Sequence, residues 1–213
     1  MIPNRFATEY PERCLQLLDA FEQIASDHDL LGTFSVMMAS AILVVPWERA
    51  KKPHFLSGER GSNLQHALKR LGKSKWLNAD FWDGVPPGEW RFSRIMGDPN
   101  NGSDWLDEHG NRSFSDEGNT IKDKTVDDVF RVLRNALAHG NIVYLDRHGY
   151  EIGGSRVEHI AFLSRYEERQ EQRELAETYR LVTVRETEFL PFVRAWANWV
   201  SQHHLPDEER WVA

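Results

Sequence analysis

The chain has 213 residues, 40% hydrophobic and 28% charged, which fits a globular protein and excludes a disordered one. Its single cysteine, Cys14, excludes an internal disulfide. A net charge of −7 and a pI near 5.7 exclude a generic nucleic-acid coat, whose affinity comes from basic residues that neutralise phosphates; any RNA site here must be local, a few arginines in one cleft.

The start, Met1 to Arg5 followed by Glu9 and Glu12, breaks the pattern of a signal peptide. Pro11 is predicted to open a helix to about Ser26. Cys14, Leu17, Leu18, Phe21 and Ile24 form its inner stripe at three- and four-residue steps. A second helix is predicted from about Leu31 to Lys51, apolar nearly all round and kinked near Pro46. The apolar stretch from Leu30 to Trp47 is interrupted by Gly32, Thr33, Ser35, Ser40 and Pro46, so it reads as a core helix rather than a membrane span. The expectation is a cytoplasmic protein with no membrane segment. A third helix spans roughly Ser62 to Leu77, with Leu64, Ala67, Leu68 and Leu71 inward.

From Asn78 to Lys124 the periodicity disappears. Six glycines and three prolines alternate with Phe81, Trp82, Trp90, Phe92, Trp105 and Phe114. So many rings argue against a disordered linker. The segment is predicted to be an irregular excursion pinned by its aromatics; the alternative is a lid or base-stacking arm. Thr125 then caps a helix with Asp127 and Asp128 in its first turn, and Gly140 supplies a left-handed stop. Alternation follows: strands at Asn141 to Asp146, Val157 to Tyr166 and Tyr179 to Arg185, with a turn at Arg147-His148-Gly149 and a charged arm over Glu167 to Glu177. A last helix runs from about Glu186 to His203. The predicted fold is mainly α: a bundle of four to five helices, with a small three-stranded antiparallel sheet inserted over 141–185 before the last helix. One domain over 1–213 is expected.

The polar groups Arg134, Asn135 and His139 stand at the end of the helix that Thr125 opens. Asn135 and His139 are four apart and share a face. Arg134 lies about 140° from His139 around the axis and joins by the reach of its stem. Ala136 and Ala138 leave room for close approach. Histidine can take either proton role near neutrality, and arginine presents a planar fork to phosphate oxygens. One histidine per chain is sparse for acid and base together; a symmetric dimer would supply two. The bland reading is that His139 only complements the helix dipole, with Arg134 in a surface ion pair with Asp127 or Asp128. Glu48 and Arg49 could line the same cleft, and more often such residues are the solvated end of a buried helix. The nine histidines show no His-x3-His spacing, His203-His204 lacks companion ligands, and Asp98 to Gly102 lacks the glycine offset and closing glutamate of a calcium loop. No metal or other cofactor is expected.

Arg134-Asn135-x3-His139 resembles the R-x(4–6)-H signature of HEPN domains. With Gly140-Asn141-Ile142, the strands and the Phe189-Leu-Pro-Phe-Val193 helix, the stretch from about Phe34 to Val200 is similar to the plasmid-borne HEPN subfamily of predicted toxins. The resemblance implies an obligate homodimer with a composite cleft, acting as a metal-independent endoribonuclease in toxin–antitoxin or phage defence. It also implies an RNA substrate and a possible cognate antitoxin. Carried over, His139 is the general acid/base, Arg134 the phosphate binder and Asn135 a positioning group. The rival reading is a non-catalytic HEPN module that binds RNA, a nucleotide or a protein partner. The aromatic excursion and the inserted sheet depart from the simple family pattern, so substrate choice does not transfer.

Overall fold

The computed structural model describes residues 6–44, 47, 63–96, 101, 104–107, 110–112, 116, 118–152, 156–165 and 178–202. Pro46, Glu48, Arg49, Phe114, the charged arm over 167–177 and His203-His204 lie outside them. Among the described residues, five α-helices pack on one antiparallel sheet: α1 (Phe6–Asp27), α2 (Leu31–Ala39), α3 (Asn63–Leu71), α4 (Val126–His139) and α5 (Glu186–Gln202). No helix among them is long and apolar enough to cross a membrane.

The sheet corrects the expected three-stranded insertion. It has five strands in the order β2-β1-β5-β4-β3, all antiparallel. Strands β3 (Ile142–Leu145), β4 (His159–Arg165) and β5 (Thr178–Arg185) come from the alternating segment; β1 (Arg91–Met96) and β2 (Leu106–Asp107) come from the excursion. Strand β1 hid because both of its faces are covered. Phe92 packs toward the helices, while Ser93 and Ile95 are buried on the other side, so the polar-out alternation of a half-solvated strand never appears.

The two faces of the sheet carry separate clusters. Phe92, Ile160, Phe162, Val182 and Val184 meet the helices. Ile95, Trp105, Leu145, Ala161, Leu163 and Leu181 make a smaller cluster on the far side. The excursion is pinned by its rings, and the lid reading fails for the described part. Phe81, Trp82 and Trp90 are buried and surround Trp76, whose ring lies 5.4, 5.6 and 4.8 Å from theirs. Offset and edge-on pairs of this kind add to plain area burial.

The α1 stripe also needs correction. Cys14 and Leu18 are buried, but Leu17, Phe21 and Ile24 are 50, 48 and 52% exposed. Arg194 of α5 donates to Asp19 and to Glu22, both at 2.5 Å. These two bonds lie on the Leu18–Glu22 side of α1, which faces α5, and the other apolar residues of the stripe lie on the opposite edge.

The long second helix ends as an α-helix at Ala39 and continues as a π-helical turn over Ser40–Val44. The hydroxyls of Ser35 and Ser40 donate to the carbonyls of Leu31 and Val36, a back-bond that bends helices. The Ile42 carbonyl accepts from the indole of Trp196 at 3.2 Å.

The start of α2 has no side-chain cap of its own. Glu186, the first residue of α5, accepts from the backbone N–H of Gly32 at 2.7 Å. This serves one of the orphan donors of a helix N-terminus. Burial pushes the Glu186 carboxyl above its usual range, and the Gly32 bond opposes that push. A Cβ on Gly32 would stand 2.7 Å from Glu186 Oε1. Gly32→Ala should therefore cost about 1–3 kcal/mol in urea unfolding. The Gly32→Ala, Glu186→Ala double variant should lose less than the sum of its parts.

Candidate functional site

Helix α4 positions the site. Thr125 and Asp128 form a capping box at its start: the Asp128 N–H donates to Thr125 Oγ1 at 3.2 Å and the Thr125 N–H to Asp128 Oδ2 at 3.0 Å. Gly140 closes it with φ 71°, and its N–H reaches the Ala136 carbonyl, the left-handed stop that glycine tolerates. Val126, Val129, Phe130, Val132, Leu133 and Ala136 are buried. Phe130 lies between Trp47 and Trp196, with centroids 4.6 and 4.5 Å away. The opposite face is not covered by the described residues: Arg131, Ala138 and His139 are exposed, and Arg134 and Asn135 are half-buried.

The structure joins Arg134 and Asn135 directly. Arg134 donates from Nη2 at 2.8 Å and from Nε at 3.3 Å to Asn135 Oδ1. Asn135 donates in turn to Ser164 Oγ on β4 at 3.0 Å. The amide thus spans the helix–sheet seam, with the oxygen holding the guanidinium and the nitrogen anchored to the sheet. Ser164 is 4% exposed and Asn135 half-buried, so the anchor is a part-buried hydrogen bond whose serine end is costly to leave unpaired.

His139 stands apart. It shares a face with Asn135 but sits one turn further on, about 6 Å along the axis, and is exposed. Among the described residues no hydrogen bond ties it to Arg134 or Asn135. Helix geometry paired Asn135 with His139 and left Arg134 to its reach; the hydrogen bonds instead pair Arg134 with Asn135 and leave His139 facing outward.

Beyond the helix end, a cleft of about 500 Å³ opens along Gly140, Asn141, Val143, Leu163, Arg165 and Tyr179. Val143, Leu163, Arg165 and Tyr179 lie on the far face of the sheet, since they alternate with the residues that meet the helices. No three His, Cys, Asp or Glu side chains are gathered for a metal among the described residues. The helix end therefore presents a guanidinium held by Asn135 and an exposed imidazole one turn further on.

Sequence reasoning missed Ser164. The alternation of β4 could have placed it on the helix side with Ile160 and Phe162, but its partner, 29 residues away, depends on how α4 is seated.

A family model described as HEPN pEK499 p136 matches residues 1–207. The chain belongs to this HEPN family, of the plasmid-borne type. No curated protein and no solved structure matches it.

Two outcomes follow from this geometry. Burial pushes the Asp128 carboxyl up, but the bonds from Thr125 and the charges of Lys124 and Arg131 outweigh it and hold it below the ordinary range. A lowered carboxylate contributes stability that is present above its unfolded pKa and lost as pH falls through the folded one. Thr125→Ala should cost about 1 kcal/mol at neutral pH and flatten the acid side of the stability–pH curve. In a double-mutant cycle, Asn135→Ala and Ser164→Ala should show a coupling of about 0.5–1.5 kcal/mol. Independent costs would mean the bond does not hold the helix end.

Proposed function

We propose that the chain is an endoribonuclease that cuts RNA without a metal, acting as a homodimer whose paired α4 ends form one composite site, and that it serves as a toxin or phage-defence effector. The observation that carries this reading is the hold of Asn135 on Arg134, set beside an exposed His139 on a helix end of a HEPN chain. A pre-aimed guanidinium suits a phosphate whose charge grows in the transition state, because no reorganisation is needed when the charge develops.

In the proposed step the ribose 2′-oxygen attacks the adjacent phosphorus. The bond to the 5′-oxygen breaks, leaving a 2′,3′-cyclic phosphate and a 5′-hydroxyl. One His139 removes the 2′-proton and the other protonates the leaving oxygen; this division of labour is why two copies are needed. Arg134 carries the phosphorane charge, and Asn135 is a positioning residue that acts through Arg134. The outer face of α4, which no described residue covers and which holds small Ala138, supports close approach of a second copy.

The net charge of −7 favours a second reading, a non-catalytic module that binds RNA, nucleotide or protein through the same surface.

The test is cleavage of mixed RNA in EDTA by the purified chain. Cyclic phosphate ends should accumulate. His139→Ala should slow the reaction by about 10²–10⁴ and Arg134→Ala by about 10²–10³, at unchanged oligomeric mass. Asn135→Ala should lower kcat less than Arg134→Ala does. Equal inertness of the wild type and His139→Ala, with RNA still bound, would establish the module instead.

A further inference from the structure

We propose that the cleft beyond the α4 end is a base-reading subsite for one guanine nucleotide of the RNA substrate, next to the bond that is cut; this rests on the ribonuclease reading of the α4 end. The observation is of opposite charges at the two ends of one cleft. Arg165 and Glu151 both line it, and Val143, Leu163 and Tyr179 supply its apolar surface. At about 500 Å³ it lies within the range of small-molecule sites, about 300–1,000 Å³.

Strand register sets the two charges apart. Glu151 bridges to Leu145 at the outer edge of β3. Arg165 ends β4, two residues beyond Leu163, whose N–H donates to the Asn141 carbonyl. From Leu145 to Asn141 the chain rises about 13 Å, so the cleft runs along the strands with the carboxylate near one end and the guanidinium near the other. No ion pair joins these two among the described residues. Arg165 stands directly opposite Tyr179 on β5, with Cβ atoms about 4.5–5.5 Å apart. Leu163 belongs to the far-face cluster, and Val143 and Tyr179 pack against it. The cleft therefore has a firm apolar floor and exposed charged ends. Its Arg165 end is where α4 turns into β3. Gly140 and Asn141, which also line it, follow His139 directly, so the Asn141 and His139 Cα atoms are within about 7.6 Å of each other. A Cβ on Gly140 would meet nothing within 4 Å, so space stands open over that turn.

Such a cleft does not suit a bare phosphate, which the carboxylate repels, and an apolar ligand would leave both charges unanswered. A nucleotide fits lengthwise. Its phosphate meets the Arg165 fork, its base lies over Leu163 and Val143, and the edge of the base faces Glu151. An ionised carboxylate only accepts, through two oxygens. Guanine offers that pair two adjacent donors, N1–H and the N2 amino group. Adenine and cytosine offer an amino group beside an acceptor, and uracil one donor between two acceptors. The Tyr179 ring lines the cleft beside Arg165, and stacking on such a ring adds affinity whichever base is present. Choice therefore falls to Glu151. The edge it reads is the one hidden by base pairing, so the subsite takes unpaired RNA.

The experiment measures binding separately from cleavage. The full chain carrying His139→Ala is titrated with fluorescein-labelled oligouridine, and with the same oligomer holding one central guanine, inosine, adenine or cytosine. The guanine oligomer should bind about 5- to 100-fold tighter than oligouridine, the range of one bidentate base contact. Inosine, which lacks the N2 amino group, should fall between them. Adding Glu151→Gln should bring the guanine-to-uracil ratio close to one at an unchanged melting temperature, since Glu151 is exposed. Tyr179→Ala should weaken every oligomer and keep the ratio. Equal affinities for all five oligomers, no binding at all, or a guanine preference that survives Glu151→Gln would overturn the subsite. Guanosine monophosphate bound as tightly as the guanine oligomer would assign the cleft to a free nucleotide and overturn it as an RNA subsite. If the wild type cleaves RNA with no guanine beside the cuts, the subsite alone is wrong. If nothing cleaves but guanine is preferred through Glu151, the subsite stands as a binding site and the ribonuclease reading fails.

Discussion

Phe130 sits between Trp47 and Trp196, with centroids 4.6 and 4.5 Å away, and the same ring meets Phe192 at 6.1 Å. This aromatic sandwich fixes where α4 lies between α5 and the residues that follow α2. With the middle of the helix held there, its C-terminal turn falls on the sheet end at Ser164, and the polar chemistry of the site follows from that placement. The seat is built from large rigid rings, which give much buried area for few rotatable bonds, so the helix end is set without relying on the polar contacts themselves. Those contacts are then available to aim a guanidinium rather than to hold the fold.

The division between scaffold and site is visible within α4. Residues 126, 129, 130, 132, 133 and 136 make the buried face; Arg134 and Asn135 lie at its margin, and Arg131, Ala138 and His139 face outward. Asn135 is where the two regimes meet. Its amide nitrogen belongs to the packed seam through Ser164 and its oxygen holds the guanidinium of Arg134. A residue with only one of those bonds could not transmit the rigidity of the sheet to the guanidinium. Aspartate, with no donor when ionised, could keep the Ser164 bond only in reverse, by accepting from the serine hydroxyl.

Much of this was legible in the sequence, for identifiable reasons. Helix α4 announces itself by Thr125, the first-turn aspartates, the three-and-four spacing and Gly140, all local signals. The last three strands showed period-two alternation. Strand β1 did not, because Phe92 and Ile95 are buried on opposite faces and leave no polar face to read. The stripe of α1 was visible, but which edge of it faces inward depends on contacts with α5, more than 170 residues away, where Arg194 reaches Asp19 and Glu22. The sequence placed Arg134, Asn135 and His139 on one helix end but gave no sign of the bond between Arg134 and Asn135. Helix geometry sets angles around an axis, and a hydrogen bond to the next residue can override an angle of about 100° when the side chain is as long as arginine. The bond from Asn135 to Ser164 could not be read at all, since it depends on how the helix is seated on the assembled sheet.

The proposed composite site depends most on two copies of α4 meeting at their ends. Spin labels at Ala138→Cys, with the buried Cys14 replaced by alanine, would report the separation of the two helix ends in solution by pulsed electron resonance. Helices packed side by side have axes about 8–10 Å apart, which places the labels within roughly 20 Å of each other. The account predicts a dimer with a single distance in that range. A monomer, or a dimer whose labels stand much further apart, would contradict it.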